Sequence, residues 1–222
     1  MNETNLLYQL LLVFGLCYGA FRFGKGALTC AVTLLALMAN LFVLKQITLF
    51  AFEVTSSDAY AIGSILSLNL LREFHGKEAA KKATYICFFF MVCFVALSQI
   101  HLGFHPSPHD KAHFAYLFLL TPAPRLLFSS LIVFFAIQQL DLRLFAWISK
   151  LLPRSRFPLR STLSLSISQL FDTILFSFIG LYGLVSNLSH VIIVSFLLKA
   201  AMVLALGPLM TLFRRFERHD TV

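Results

Sequence analysis

The chain has 222 residues, of which 59% are hydrophobic and only 13% charged, where a soluble domain averages roughly 45–50% and about 25%. A water-soluble body with a mean hydropathy of +0.83 would expose apolar patches larger than water tolerates. The formal net charge of +8 therefore has no groove-sized soluble surface on which to act, and a direct nucleic-acid partner is excluded.

A bilayer takes about 20 apolar residues per helical span, so the chain is expected to form one all-α membrane domain over residues 1–222, a polytopic bundle of about seven spans with six as the alternative. Taken in order, the apolar segments are 6–21, 27–44, 59–71, 84–102, 115–140, 162–183 and 189–213. The first has no basic stretch before it and reads as a span, not as a cleaved signal peptide. Residues 45–60 are rich in Thr, Phe and Val, with Ser56, Ser57 and Asp58 as turn formers. They predict either a small hairpin or a re-entrant loop, unless the third span begins inside them. Pro106 and Pro108 mark the stretch 103–110 as a loop, and Pro153 and Pro158 break the basic connection 150–160.

Lys and Arg sort by connection. Arg22 and Lys25 follow the first segment, and Arg72, Lys77, Lys81 and Lys82 follow the third. Arg143, Lys150, Arg154, Arg156 and Arg160 follow the fifth, while Arg214, Arg215 and Arg218 follow the last. The alternate connections carry one clear basic residue, Lys111. The positive-inside rule then places the N-terminus outside and the C-terminus in the cytoplasm, which needs an odd number of spans.

Ionisable groups inside hydrocarbon cost about 2.5–3.5 kcal/mol each on insertion scales, so those inside the segments call for a reason. Asp172 and Lys199 lie near the middle of the sixth and seventh, which are antiparallel and joined by a short loop, so a neutralising pair is expected. Gln169 shares the Asp172 face at three residues' spacing. Asn40, Asn69, Glu73, Arg125, Gln138, Gln139 and Asp141 complete the polar set. Interhelical hydrogen bonding and interfacial snorkelling explain any one of these; together they predict a polar cavity for a small planar ligand with both donors and acceptors. Asp172, Glu73 and Asp141 are the candidate carboxylates for proton coupling.

Other chemistry lacks its residues. Cys17, Cys30, Cys87 and Cys93 lie inside apolar runs without C-x-x-C spacing and read as small packing residues. His101, His105, His109 and His113 recur every four residues, but Pro106 and Pro108 interrupt the helix that would align them, so no metal site is expected. There is no P-loop, H-E-x-x-H or G-x-S-x-G sequence. No enzyme activity and no cofactor are expected.

At the polar positions the sequence resembles the queuosine precursor transporter family, also called VUT. The matching pieces are Asn40 early in the chain; Asn69, Glu73 and Gly76 followed by Lys77, Lys81 and Lys82; Arg125, Ser130, Gln138 and Asp141; Gln169, Asp172, Thr173 and Phe176 with Gly183 beyond; and Lys199 with the later Pro208. The resemblance implies a multi-span protein of the bacterial cytoplasmic membrane that imports a 7-deazaguanine base (preQ0, preQ1 or queuine) for tRNA modification. It implies binding by Asn40, Asn69, Glu73, Arg125, Gln138, Gln169, Asp172 and Lys199, with a small nucleobase and the lipid bilayer as partners. The chain departs from the family pattern at Asn69, where an Asp is usual. That removes one counter-ion for a cationic aminomethyl ligand, and Glu73 is placed to compensate in part. The alternatives are a substrate-binding membrane subunit of an ATP-driven vitamin importer and a non-transporting membrane scaffold.

Overall fold

The computed structural model describes residues 1–151 and 157–219. It is helical except for one hairpin, with elements in the order α1 (Asn2–Phe23), α2 (Lys25–Phe42), β1 (Gln46–Leu49), β2 (Phe52–Thr55), α3 (Asp58–His75), α4 (Lys77–Leu102), α5 (His113–Leu120), α6 (Ala123–Leu151), α7 (Phe157–Phe176) and α8 (Leu188–His219). Two compact units divide the chain, Met1–Phe128 and Ser129–Val222. Arg154 and Arg156 of the expected basic connection lie outside the described residues.

In the first unit, α1, α2, α3 and α4 pack side by side. Single glycines make the corners between α1 and α2 and between α3 and α4: Gly24 has φ 91° and Gly76 has φ 86°, a region that side chains with a Cβ rarely enter. Leu28, Ala31, Val32 and Leu35 of α2 are buried at helical spacing. Helix α3 packs against α2 and buries Leu66, Leu70 and Leu71. The Cys17 thiol is fully buried beside the Ser67 hydroxyl at 3.3 Å and the Gly63 carbonyl at 3.5 Å, a packing role; all four cysteines are free.

Residues 45–60 contain the hairpin. β1 and β2 pair antiparallel, Gln46 opposite Thr55 and Leu49 opposite Phe52, with Leu49 and Val54 buried beneath them. Its two-residue turn holds Phe50 and Ala51 at φ 48° and 68°. The start of α1 ties it down: Asn2 Nδ2 donates to the Thr48 carbonyl (2.9 Å) and the Phe50 N–H donates to Glu3 (3.2 Å).

Among the described residues, six helices are long and apolar enough to cross a membrane: Asn2–Phe23, Lys25–Phe42, Lys77–Leu102, His113–Leu151, Thr162–Leu181 and Leu188–Ala205. Large apolar side chains cover their outer faces, among them Leu12 at 75% exposure, Phe89 at 62% and Leu197 at 59%, which only a lipid solvent makes tolerable. The third expected span is a helix, α3, but falls outside the six. Asp58, Arg72 and Glu73 confine its apolar stretch to residues 59–71, only about 20 Å at 1.5 Å per residue against the roughly 30 Å of a hydrocarbon core. Helices α1, α2 and α4 surround it instead.

The fifth expected span, 115–140, is also corrected. It begins at His113, runs on to Leu151 and breaks at Thr121 and Pro122 between α5 and α6. Pro122 and Pro124 supply no N–H, so the carbonyls one turn earlier lose their intrahelical donors. In the second unit, α7 ends in one wider π-type turn, Ser177–Leu181, and α8 returns against it.

Candidate functional site

The polar side chains of the second unit collect along α7. Ser164 and Ser168, one turn apart and buried, both donate to Asp141 Oδ1 of α6 at 2.8 Å. That carboxylate is thereby a clamp between α6 and α7.

One turn further on, α7 turns Asp172 and Thr173 toward α8. Lys199 Nζ donates to Asp172 Oδ2 at 2.7 Å and to Thr173 Oγ1 at 3.2 Å. The Thr173 hydroxyl gives its own proton to the Gln169 carbonyl at 2.9 Å, which leaves its oxygen free to accept from the ammonium. The Lys199 side chain is 11% exposed and that of Asp172 28%, so the expected pair exists and is shielded. Shielded charges are tolerable because each neutralises the other.

Not all of this cluster is satisfied. Gln169 Oε1 is buried and has no hydrogen-bond partner, and Asp172 keeps one oxygen beyond the one that Lys199 occupies. Gln169 and Asp172 stand at i and i+3, so these acceptors lie on one face of α7. Buried acceptors without donors are uncommon, and each costs about 1–3 kcal/mol. Only the Gln169 oxygen is buried; together with the second oxygen of the part-exposed Asp172 it suits a ligand edge that carries two donors.

In the first unit the amides satisfy one donor each on their own helix. Asn40 Nδ2 donates to the Ala36 carbonyl at 2.9 Å and Asn69 Nδ2 to the Ile65 carbonyl at 2.8 Å. Asn40 also lines a narrow pocket of about 20 Å³, formed by α2, by Met91, Phe94 and Val95 of α4, and by Leu119 and Ala123 on either side of the helix break. Glu73 and Arg125 are exposed.

The structure therefore brings Gln169, Asp172 and Lys199 into one cluster and puts Asn40 on a pocket of the first unit. Gln138 is exposed on α6 and does not share the Asp141 clamp. Thr173 is a member of the cluster that polarity alone did not single out, since a threonine in an apolar helix usually bonds only its own backbone. Asp58, taken from the sequence as a turn former, is buried at the start of α3.

The family described as "Putative vitamin uptake transporter" matches residues 59–213. A protein of Bacillus subtilis (strain 168) described as "Probable queuosine precursor transporter" is 30% identical over 190 residues, which cover 84% of this chain and 82% of that protein. The chain belongs to the queuosine precursor transporter (VUT) family. No solved structure matches it. The VUT match takes in Asn69, Glu73, Arg125, Gln138, Gln169, Asp172 and Lys199 and begins after Asn40. As a VUT member the chain is a multi-pass membrane transporter.

Proposed function

We propose that this transporter imports a queuosine precursor, a 7-deazaguanine base such as preQ0, preQ1 or queuine, across the bacterial cytoplasmic membrane. It does so as one transport domain. The observation that carries the reading is the pair of unfilled acceptors on α7, Gln169 Oε1 and the second oxygen of Asp172. The guanine-like edge of such a base presents a lactam N–H and an exocyclic amine, two donors side by side. Carboxylate and amide oxygens accept both. Lys199 neutralises Asp172, so the base itself need carry no charge to enter.

Asn69, Glu73, Arg125, Gln138 and Asn40 are the further substrate-binding residues of this proposal, and no cofactor or catalytic step is involved. The amide at Asn69 gives a cationic aminomethyl group weaker support than a carboxylate, which favours the neutral base preQ0.

The test is complementation of a bacterium unable to make the precursor, supplied with each base in turn, with queuosine read in tRNA. Asp172→Ala, Lys199→Ala and Gln169→Leu are each expected to reduce queuosine at least about tenfold, the loss of one buried charged or polar contact. Wild-type levels in Asp172→Ala and Lys199→Ala at equal membrane abundance would remove the proposed site. Uptake that needs co-expressed ATPase subunits would replace the reading with that of a subunit of an ATP-driven importer.

A further inference from the structure

The break between α5 and α6 has an unusual cap. Pro124 occupies the position whose N–H would close the helical turn onto the Leu120 carbonyl. Leu120 is buried, so in a membrane protein neither water nor lipid replaces that donor. The side chain of Gln99 on α4 does: its Nε2 donates to the Leu120 carbonyl at 2.9 Å. Met91, Val95 and Gln99 stand at i, i+4 and i+8 on α4 and so form one stripe along the helix. The first two line the pocket that holds Asn40, and the pocket's other wall is the break itself, Leu119 and Ala123.

We propose that Gln99 is a positioning residue for transport. By substituting for the missing Pro124 N–H it fixes the broken end of α5 against α4 and holds open the pocket that carries Asn40. Gln99 touches no substrate in this role; its contribution is the shape of a wall. Interrupted helices in transporters need such outside donors wherever the backbone leaves its regular pattern.

The experiment is a cycle of four full-length proteins: wild type, Gln99→Leu, Pro124→Ala and the double variant. Leucine keeps the volume of glutamine and removes the donor, while Pro124→Ala returns an N–H to the backbone and makes Gln99 redundant. Initial uptake and thermal unfolding in detergent are measured for all four, the second needing no substrate. With Pro124 present, Gln99→Leu is expected to slow uptake about tenfold and to lower Tm by roughly 2–4 °C or more. In the Pro124→Ala background the same substitution is expected to leave uptake within about twofold and Tm within about 1 °C. An equal effect of Gln99→Leu in both backgrounds, or none in either, overturns the proposal. The uptake arm rests on the transport function proposed above; if the wild type carries no 7-deazaguanine base that function fails, while the unfolding cycle still decides the role of Gln99.

Discussion

Breaking the Asp172–Lys199 pair from one side and from both sides separates its structural role from its binding role. Lys199→Met leaves the Asp172 carboxylate shielded with no cation, and it also removes the donor to Thr173. Removing one partner of a buried pair typically costs about 3–5 kcal/mol. For a chain of 150–250 residues each kcal/mol moves Tm by roughly 2–4 °C, so Lys199→Met is expected to lower Tm by roughly 6–15 °C. The double variant Asp172→Asn, Lys199→Met carries no uncompensated charge, and replacing a buried pair by neutral groups is often close to neutral. Its Tm should return to within about 3 °C of wild type. Uptake should stay lost, because the amide at 172 offers a weaker acceptor. With the exposed Cys30 and half-buried Cys93 replaced by serine, a thiol-reactive dye follows the unfolding, since Cys17 and Cys87 are buried in the native chain. A double variant as unstable as Lys199→Met refutes the charge argument, and one that regains uptake refutes Asp172 as a ligand.

Two further outcomes follow from local geometry. Phe50 and Ala51 both hold positive φ in the hairpin turn, where Asn-Gly is the favoured pair and other residues cost about 1–2 kcal/mol each. Phe50 is 70% exposed, so Phe50→Asn with Ala51→Gly gives up little packing. It is expected to raise Tm by at least about 2 °C with uptake unchanged; an unchanged or lower Tm counts against the turn geometry. For the α6–α7 clamp, Asp141→Asn keeps an acceptor for Ser164 and Ser168 and should alter Tm by less than about 3 °C. Asp141→Ala orphans the Ser168 hydroxyl and leaves Ser164 only its 3.3 Å contact to the Asp141 carbonyl, and should cost about 1–3 kcal/mol. If Asp141→Asn abolishes the pH dependence of uptake while leaving Tm unchanged, Asp141 is a proton carrier as well as a clamp.

The parts of this fold that were legible in the sequence are those set by solvent. Hydrophobic length and periodicity announce helices directly, and the shielded charges at Asp172 and Lys199 had to find each other because nothing else in hydrocarbon would neutralise them. The hairpin at residues 45–60 is one of three options that the sequence leaves open, because Ser56, Ser57 and Asp58 end an extended run. What was not legible depends on tertiary contact. The third segment looks like a span by apolarity alone; α3 succeeds with a short apolar stretch because α1, α2 and α4 surround it. Likewise, nothing local to Ser164 and Ser168 says that both hydroxyls converge on Asp141.

The break at Pro122 lies between these cases. Two prolines two residues apart predict a lost pair of intrahelical donors from sequence alone. They do not say which side chain makes good the loss. Gln99 is 25 positions from Pro124 in the chain and in an apolar helix reads as one more interfacial amide; only the packing of α5 against α4 identifies it as a backbone donor. The same reasoning runs in reverse for Gln169. A buried glutamine oxygen with no donor, in a chain that supplies Leu120 with one from another helix, is the feature on which the proposed substrate contact rests.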